Sequence, residues 1–407
     1  MNPQHRLIAL LVLSVFINYV DRGNLSIAAP VLSAELALSP TQLGLLFSAF
    51  FWTYAILQIG AGWMVDRFGV FWVFAGGYMI WSLATLATGF TGTFASLFAM
   101  RLLLGAGESV AYPAYSRIIA AEFPEERRGL TNALVDAGSK AGPALGTLFG
   151  GLLVANYGWR ILFISTGLLS LLWLAPWWLW APRDSAGAAR QGTGPGIMDI
   201  LRRRQAWGTS LGFFCFGYAW YFLLSWLPTY LVNERHLSMN GMAVFGSLVY
   251  VGVGVSSVFC GWLSDRWIRG GSSPTRVRKT FLVSGLLLCM LMLPAAMATD
   301  SRLAMALLIA ASLSMGLFTS NVWAVTQTLA GPLAAGKWSG IQNCVGNLGG
   351  VVSPFVTGLI VTQTHSFLPA FAIAALMLFA GAAAFLFLVD RVEPLDWSAL
   401  SNRDHAG

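Results

Sequence analysis

Long apolar stretches separated by short polar connections occupy almost the whole chain of 407 residues. A helix that crosses a bilayer needs about 20 mostly apolar residues, and twelve stretches have roughly that length. They cover residues 7–33, 42–65, 70–90, 94–118, 129–154 and 159–181, and then 207–232, 241–264, 279–298, 302–325, 338–362 and 367–389. The pattern therefore predicts twelve membrane-spanning helices in two groups of six.

The only long polar connection lies between the two groups, at residues 182–206. It contains the run AGAARQGTGPG followed by RRR, and glycine-rich polar segments of this kind act as flexible linkers. The predicted fold class is all-α integral membrane. It comprises a six-helix bundle at 1–181, a cytoplasmic linker at 182–206, a second bundle at 207–390 and a cytoplasmic tail at 391–407.

Composition favours a membrane protein and excludes a soluble one. Hydrophobic residues make up 57% and charged residues only 10% of the chain, whereas soluble globular proteins carry about 25% charged residues. The net charge of +7 does not indicate a nucleic-acid partner, because no basic run has the interleaved polarity of such a site. The four cysteines lie in apolar stretches without Cys-X-X-Cys spacing, so we expect buried thiols and neither a metal nor a cofactor.

Basic residues indicate the orientation of the helices. Of the 24 Lys and Arg residues, only Arg160, Arg235 and Arg302 fall in outer connections if both termini are cytoplasmic. Most of the others fall in inner connections, the linker and the tails, and this excess is typical of the cytoplasmic side. We therefore expect a multi-pass protein of a bacterial-type inner membrane, with both termini in the cytoplasm and the first helix retained.

The two groups of helices also share sequence features. The run GWMVDR at 62–67 recurs as GWLSDR at 261–266, an offset of 199 residues, and Pro30 recurs as Pro228, an offset of 198. Two unrelated features with almost the same offset indicate a parallel repeat of six helices. Repeats of this type place the substrate site near the midplane of the membrane, between the two halves.

These features resemble the major facilitator superfamily, in which two six-helix bundles are related by a pseudo-two-fold axis along the membrane normal. The superfamily's loop motif has basic residues where Val70 and Phe71 stand in this chain. Within the superfamily, the chain resembles the anion:cation symporters in several motifs. These are NYVDRGNLSIAAP in the first helix, RLLLGAGES in the fourth, PEERRG after it, GWR at 158–160, SWLPTYL in the seventh and GNLGG at 346–350.

That group includes bacterial carriers of sugar acids such as D-galactonate and hexuronate, aromatic-acid carriers, and animal sialic-acid and glutamate transporters. The resemblance implies a monomeric secondary transporter, not an enzyme, that imports an organic carboxylate with protons by alternating access. An aromatic-acid or dicarboxylate carrier is the alternative. A proton-driven exporter of cationic drugs is disfavoured because buried cations would repel such a drug, and a membrane sensor would carry an added soluble domain.

Enzyme chemistry finds no support in the motifs. The chain has no P-loop, which disfavours transport driven by ATP. The four histidines fall at the termini or in outer connections, where none is placed for metal or nucleophile chemistry.

Ionisable side chains at bilayer depth are costly and usually functional. By position, six lie at this depth, away from the ends of the predicted helices, and they are Asp21, Arg22, Arg101, Glu108, Asp136 and Lys140. Their charges sum to zero, so protonation of any one acid leaves a net charge of +1 that favours a bound anion. Binding of a proton and binding of an anion then reinforce each other, which is the basis for predicting a proton–anion symporter.

Helix geometry limits the roles of four of these groups. Asp21 and Arg22 are adjacent and point about 100° apart, so they cannot share one face of the helix. We expect Arg22 to face the cavity and bind the substrate carboxylate, Asp21 to pair with Arg101, and Glu108 to carry the proton. The resemblance to sugar-acid carriers implies the same roles. The alternative is a static network that locks the first helix to the fourth.

Asp136 and Lys140 allow two interpretations. An acid and a base four residues apart on one helix usually form a structural pair that neutralises itself. Sugar-acid carriers, by resemblance, have an uncharged polar residue at the position of Lys140. A lysine there could contact a second carboxylate, which would indicate a dicarboxylate or a more acidic substrate.

Aromatic and polar side chains at bilayer depth are further candidates for contact with substrate. They are Tyr19, Tyr54, Tyr218, Tyr221, Ser320, Trp323, Gln327, Asn343 and Asn347. Hydrogen bonds between helices would satisfy such groups equally well. The resemblance implies substrate contacts for Tyr19, Tyr54, Ser320, Trp323 and one of the two asparagines.

The two repeated turns, Asp66–Arg67 and Asp265–Arg266, are expected to lie at cytoplasmic helix ends. By resemblance, we expect them to act in gating, by bonding neighbouring helices while the carrier opens outward. The alternative is that their arginines only set the topology.

Overall fold

The computed structural model describes residues 3–123, 125–183 and 195–397. Within these ranges the chain is helical and has no β-strand. The helices are α1 (Pro3–Glu35), α2 (Pro40–Phe68), α3 (Val70–Thr88), α4 (Phe94–Glu108), α5 (Ala111–Glu122), α6 (Glu125–Tyr157), α7 (Trp159–Leu172), α8 (Leu174–Trp180), α9 (Ile197–Leu201), α10 (Arg204–Thr229), α11 (Met239–Arg269), α12 (Pro274–Cys289), α13 (Met292–Met297), α14 (Ser301–Thr319), α15 (Val322–Thr364) and α16 (Leu368–Phe387). A π-helical turn at Tyr230–Glu234 extends α10.

All twelve predicted stretches lie on helices, so the predicted all-helical membrane fold is confirmed. Eleven helical segments of the described chain are long and apolar enough to cross a membrane. The remaining predicted span lies in α6, where Asp136, Lys140 and several glycines lower the hydropathy. The least apolar span is therefore also the one that carries two of the six buried charges predicted above.

Four predicted spans are interrupted, whereas the sequence pattern predicts a continuous helix in each; one of the breaks lies between α14 and α15, at Ser320 and Asn321. The chain breaks before α5, α8 and α13, and Pro113, Pro176 and Pro294 occupy the third position of the helix that follows. Proline has no N–H to donate and is tolerated in the first turn of a helix, where no intrahelical acceptor is needed. The helix α15 extends from the predicted span 302–325 into the span 338–362, but its backbone is non-helical at Gly331 (φ 63°). The structure therefore separates these two spans, as the sequence pattern predicts.

The described chain divides into two compact units that do not follow the order of the sequence. Unit 1 comprises Met1–Ala188, Phe222–Val251 and Gly350–Phe367, and unit 2 comprises Ala189–Tyr221, Gly252–Gly349 and Leu368–Gly407. Parts of α10, α11 and α15 therefore pack with the first half of the chain. The bundle boundary at 182–206 stays a prediction.

The sequence repeat extends to backbone geometry at the outer turns. Ala37 (φ 49°) and His236 (φ 55°) both adopt the left-handed conformation, and 37 + 199 = 236. Ser39 and Ser238 show the same offset, and each hydroxyl accepts a hydrogen bond from the backbone N–H three residues later, at 3.2 and 3.1 Å. These hydroxyls cap the first turns of α2 and α11. The first and second halves thus make the same turn with the same capping residue.

Candidate functional site

Arg22 and Glu108 form a buried ion pair that joins α1 to α4. The Arg22 guanidinium donates from Nη2 and Nε to one carboxylate oxygen, Glu108 Oε2, at 2.8 and 3.2 Å. The two side chains are 4% and 0% exposed. Asn18, one turn before Arg22, accepts a further hydrogen bond from Nη2 at 3.3 Å. The other carboxylate oxygen, Glu108 Oε1, is buried and has no hydrogen-bond donor among the described residues.

Three aromatic rings surround the guanidinium of Arg22. Its central carbon lies 4.7 Å from the ring centre of Tyr19, 4.7 Å from that of Phe50 and 4.9 Å from that of Tyr54. Phe50 and Tyr54 stack on each other with ring centres 5.3 Å apart. A cation within about 6 Å of a ring centre is attracted by the negative face of the ring. Arg22 is thus stabilised by aromatic faces as well as by Glu108.

The expected pair between Asp21 and Arg101 is not formed, and that prediction is wrong for this structure. Asp21 accepts hydrogen bonds from Ser170 Oγ at 2.9 Å and from Asn24 Nδ2 at 3.4 Å. Arg101 donates from Nε to the backbone oxygen of Leu46 at 3.2 Å. Asp21 points toward α7 because adjacent residues on a helix face directions about 100° apart, and Arg22 therefore takes the direction of α4. The partner of the buried carboxylate on α4 is Arg22.

A small cavity of about 10 Å³ lies between α1 and α6 in unit 1. It is lined by Tyr19, Val20, Gly23, Ser26 and Ile27 of α1, Gly142, Pro143, Gly146 and Thr147 of α6, and Leu224 and Tyr250. Sites for small molecules usually measure about 300–1,000 Å³. The cavity in this structure is therefore far smaller than a ligand site and has room for about one water molecule.

Hydroxyl and glycine contacts in unit 1 join α1 and α2 to α10 and α15. Ser26 Oγ donates to the backbone oxygen of its repeat counterpart Ser225 at 2.8 Å, and Thr41 and Thr362 share a hydrogen bond of 2.8 Å. At Gly44, an added Cβ would lie 2.5 Å from the backbone oxygen of Pro354. These residues belong to, or directly adjoin, the halves of the spans that are predicted to be outer.

Lys140 and Asp136 pair with each other on α6. Lys140 Nζ donates to Asp136 Oδ1 at 3.1 Å, and their side chains are 27% and 64% exposed. Ser139 Oγ also donates to Asp136, to its backbone oxygen at 2.7 Å and its carboxylate at 3.3 Å. On α1, Tyr19 shares a hydroxyl hydrogen bond of 3.2 Å with Tyr112. The structural pair predicted from the spacing is present, but both side chains are partly exposed.

Unit 2 carries a second group of predicted site residues, none of which is charged at neutral pH. Tyr221 donates its hydroxyl hydrogen to Asn347 Oδ1 at 2.7 Å. The hydroxyl of Tyr218 is buried and has no partner among the described residues. Ser320 Oγ donates to the backbone oxygen of Leu317 at 2.9 Å, and Trp323 packs edge-on against a neighbouring phenylalanine at 5.0 Å.

Gln327 is exposed and Asn343 is half-buried, whereas the adjacent Gln342 is fully buried. Gln342 accepts a hydrogen bond from Thr326 at 2.5 Å. The sequence analysis missed this pair because both residues lie inside apolar runs, one position away from residues that it selected. Whether the polar groups of units 1 and 2 line one cavity stays a prediction.

Of the two predicted gating turns, the structure describes both side chains of Asp265–Arg266 but only the arginine side chain of Asp66–Arg67. Asp265 Oδ1 accepts from Arg278 Nη2 at 3.4 Å, and Arg278 Nη1 donates to Asn321 Oδ1 at 2.9 Å. Arg266 lies over the ring of Trp262 at 5.7 Å. In the first half, Arg67 is exposed at the end of α2, and the side chain of Asp66 lies outside the described residues. The sequence analysis missed Arg278, a basic residue in a predicted inner connection that it assigned to topology alone.

The sequence matches the family model described as Major Facilitator Superfamily over residues 11–354. The chain belongs to the Major Facilitator Superfamily. It is therefore a multi-pass membrane transporter and not an enzyme, as the motifs predicted. The family also accounts for the repeat of 199 residues, since its two halves are copies of one six-helix unit.

Two curated members of this superfamily illustrate the similarity. The chain is 31% identical to the probable sulfoacetate transporter SauU of Cupriavidus necator, over 95% of this chain and 94% of that protein. It is 30% identical to the probable galactarate/D-glucarate transporter GarP of Escherichia coli K12, over 95% of this chain and 96% of that protein. The predicted resemblance to sugar-acid carriers is confirmed at the level of family membership and named relatives.

A solved structure agrees with the fold. A bacterial homolog of the human lysosomal transporter Spinster, in an inward-facing and occupied conformation, matches with a TM-score of 0.83 and 17% sequence identity. The match covers 95% of this chain and 97% of that chain. At this identity, the likeness shows a shared fold of the superfamily.

Proposed function

We propose that this protein imports an organic carboxylate, most simply a sugar acid, together with protons by alternating access. The observation that carries the proposal is the buried Arg22–Glu108 pair inside its aromatic surroundings. A guanidinium is the side chain best suited to bind a carboxylate. The names of the relatives, which transport sulfoacetate and sugar diacids, support an anionic organic substrate.

Proton coupling follows from competition for Arg22. In this structure, the carboxylate of Glu108 is paired with the guanidinium of Arg22. A substrate carboxylate that binds Arg22 must therefore displace the carboxylate of Glu108. Protonation of Glu108 makes it neutral and weakens its hold on Arg22, and the substrate then supplies the missing negative charge. An acidic outer solution should therefore favour binding, and affinity should fall as the pH rises. By linkage, the bound anion favours the proton equally.

Alternating access requires the outer contacts of unit 1 to open. These contacts consist of hydroxyl hydrogen bonds and close glycine packing, such as Ser26 with Ser225 and Gly44 with Pro354. A typical hydrogen bond contributes only about 0.5–1.5 kcal/mol net, so a few of them can be broken and remade in each cycle. The Asp265–Arg278 link at the predicted inner end of α11 is the candidate counterpart on the other side.

The remaining assignments complete the proposal. Asp21 and Arg101 support proton coupling around the ion pair, and Tyr218, Tyr221 and Asn347 supply neutral hydrogen-bonding groups for substrate hydroxyls. The protein acts as a monomer in a bacterial-type inner membrane, with both termini in the cytoplasm. The substrate is a small organic anion, and protons are the coupling ion.

Uptake by proteoliposomes tests this function. Purified protein is reconstituted into vesicles, and the external solution is made more acidic than the lumen. Accumulation of radiolabelled D-galactonate, hexuronate, galactarate and sulfoacetate is then measured. The proposal expects accumulation of at least one of these acids above equilibrium, abolished by a protonophore. Uptake that ignores the pH gradient would contradict proton coupling, and a response to cationic drugs in place of acids would contradict the substrate class.

A further inference from the structure

Lys140 lies on the cavity-facing side of α6. Residues 140, 143 and 147 fall on one helix face, because they are three and seven positions apart. Pro143 and Thr147 line the cavity of unit 1, so Lys140 lies one turn below them on the same wall. Its side chain is 27% exposed, although it lies in the middle of a predicted span. A cation at this depth is tolerated where it faces a water-filled cavity.

The packing of α6 on α1 places Lys140 near Arg22. Along α6, the glycines at 138, 142, 146 and 150 contact residues 15, 19, 20 and 27 of α1 in the same order, so the two helices run parallel. An added Cβ on Gly142 would lie 2.6 Å from Tyr19 Cβ, which puts these two residues at one height. Lys140 and Tyr19 are also close enough to interact electrostatically.

These heights give the offset of the two residues along the helix axes. Arg22 lies three residues beyond Tyr19, and Lys140 lies two residues before Gly142. At about 1.5 Å per residue, the two positions are about 7–8 Å apart along the helix axes. A six-carbon chain spans about 6 Å between its terminal carbons, given single bonds near 1.5 Å. The axial offset between Arg22 and Lys140 is therefore comparable with the length of a small diacid, and Tyr19 lies between their two levels.

Each of the two cations is held by an internal acid in this structure. Arg22 pairs with Glu108 at 2.8 Å and Lys140 pairs with Asp136 at 3.1 Å. A second anionic group of the substrate could replace Asp136 at little cost, because Asp136 is 64% exposed and Ser139 Oγ still bonds it. Lys140 would then exchange one carboxylate for another.

We propose that Lys140 binds the second anionic group of a doubly charged substrate, so that the preferred cargo is a diacid rather than a monoacid. This inference rests on the proposed function and specifies its substrate class. Arg22 holds one end of the diacid, Lys140 holds the other, and Tyr19 lies alongside the chain between them.

Galactarate and D-galactonate provide a matched test, because they differ only at C6, which is a carboxylate in the first and a hydroxymethyl group in the second. Affinities of purified protein for both acids are measured by thermal shift and by inhibition of uptake. The wild type should bind galactarate more tightly. Lys140→Gln should lower the affinity for galactarate by about 10- to 100-fold, the size of one charge-assisted hydrogen bond. The affinity for D-galactonate should stay nearly unchanged.

Two further variants separate a binding role from a structural one. Lys140→Arg keeps the charge and should restore most of the affinity for galactarate. Asp136→Asn removes the acid that competes with substrate for Lys140. It should raise the affinity for galactarate more than the affinity for D-galactonate. Lys337→Gln, which removes a lysine bonded to the backbone oxygen of Pro195 at 2.8 Å, is the control and should alter neither acid. The melting temperature of each variant without ligand shows whether it folds.

The outcomes distinguish this inference from the function on which it rests. Equal losses of both acids in Lys140→Gln, or a wild type that prefers D-galactonate, would overturn the diacid site and leave the transport proposal standing. A wild type that binds neither acid and accumulates none of the organic acids under a pH gradient would overturn both.

Discussion

At the offset of 199 residues, which Ala37 and His236 also show, the first helices of the two halves carry different chemistry. Adding 199 to the positions of Asp21 and Arg22 gives Trp220 and Tyr221 in α10. In α1, Arg22 takes part in a buried ion pair at 2.8 Å. In α10, Tyr221 makes a neutral hydrogen bond of 2.7 Å to Asn347. The same position thus holds a charge in one copy and an uncharged polar group in the other.

The fourth helices of the two halves differ in the same way. Close contacts fix their offset at 207, because Gly105 lies against Thr53 as Ser312 lies against Gly252. At this offset, Arg101 and Glu108 correspond to Leu308 and Met315; both of these residues are buried.

The difference shows that the scaffold does not need the charges. Buried ion pairs rarely stabilise a protein more than apolar residues of similar size, and the second half fills the same positions with leucine and methionine. This contrast supports the proposal that the charges of the first half serve transport. Substitutions at corresponding positions of the two halves test this contrast.

Arg22→Gln should have the largest effect. It removes the group proposed to bind the substrate carboxylate, so affinity for sugar acids should fall at least about 100-fold, the upper range for a charged hydrogen-bonded contact. The variant Arg22→Gln combined with Glu108→Gln avoids an unpaired buried acid and keeps the protein folded. Affinity is measured by thermal shift, with the melting temperature as the control. Retained affinity in the folded double variant would remove Arg22 from the site.

Glu108→Gln should uncouple transport from protons. The amide cannot titrate, so uptake should lose its increase at acidic outer pH, while exchange of labelled for unlabelled substrate continues. In the wild type, affinity should fall as the pH rises, because ionised Glu108 is proposed to compete for Arg22. Met315→Leu, at the corresponding position of the second half, is the control and should keep the pH dependence. Accumulation driven by a pH gradient in Glu108→Gln would assign the proton to another acid.

Gly44→Ala should disturb the outer contacts to an intermediate degree. The new Cβ would lie 2.5 Å from the backbone oxygen of Pro354, and overpacking of this kind costs about 1–3 kcal/mol. We expect the outer side to open more often. A cysteine introduced at Thr147, in protein without its native cysteines, should then react faster with a membrane-impermeant thiol reagent. Gly62→Ala is the control because no atom lies within 4 Å of the added Cβ. Equal labelling in both variants would contradict a role for this contact in closure.

Much of the fold could be predicted from the sequence, because apolar length and the positive-inside bias depend only on composition along the chain. The breaks before Pro113, Pro176 and Pro294 were missed, since a short interruption leaves the apolar pattern intact. Within the site, the sequence identified Arg22 and Glu108 as buried charges. It paired Asp21 with Arg101 incorrectly because the direction of each side chain depends on which helix lies opposite.

Tyr221→Phe should have the smallest effect, and it sharpens the comparison with Arg22. The substitution removes one hydroxyl that donates to Asn347 at 2.7 Å, and a neutral hydrogen bond contributes about 0.5–1.5 kcal/mol. Affinity for a sugar acid should therefore fall only about 2- to 10-fold, with the pH dependence of uptake unchanged, because no titrating group lies at this position of the repeat. Tyr230→Phe, in the π-helical turn beyond the site, is the matched control. A loss as large as that of Arg22→Gln, or a changed pH profile, would mean that the second half shares the ionic chemistry assigned to the first.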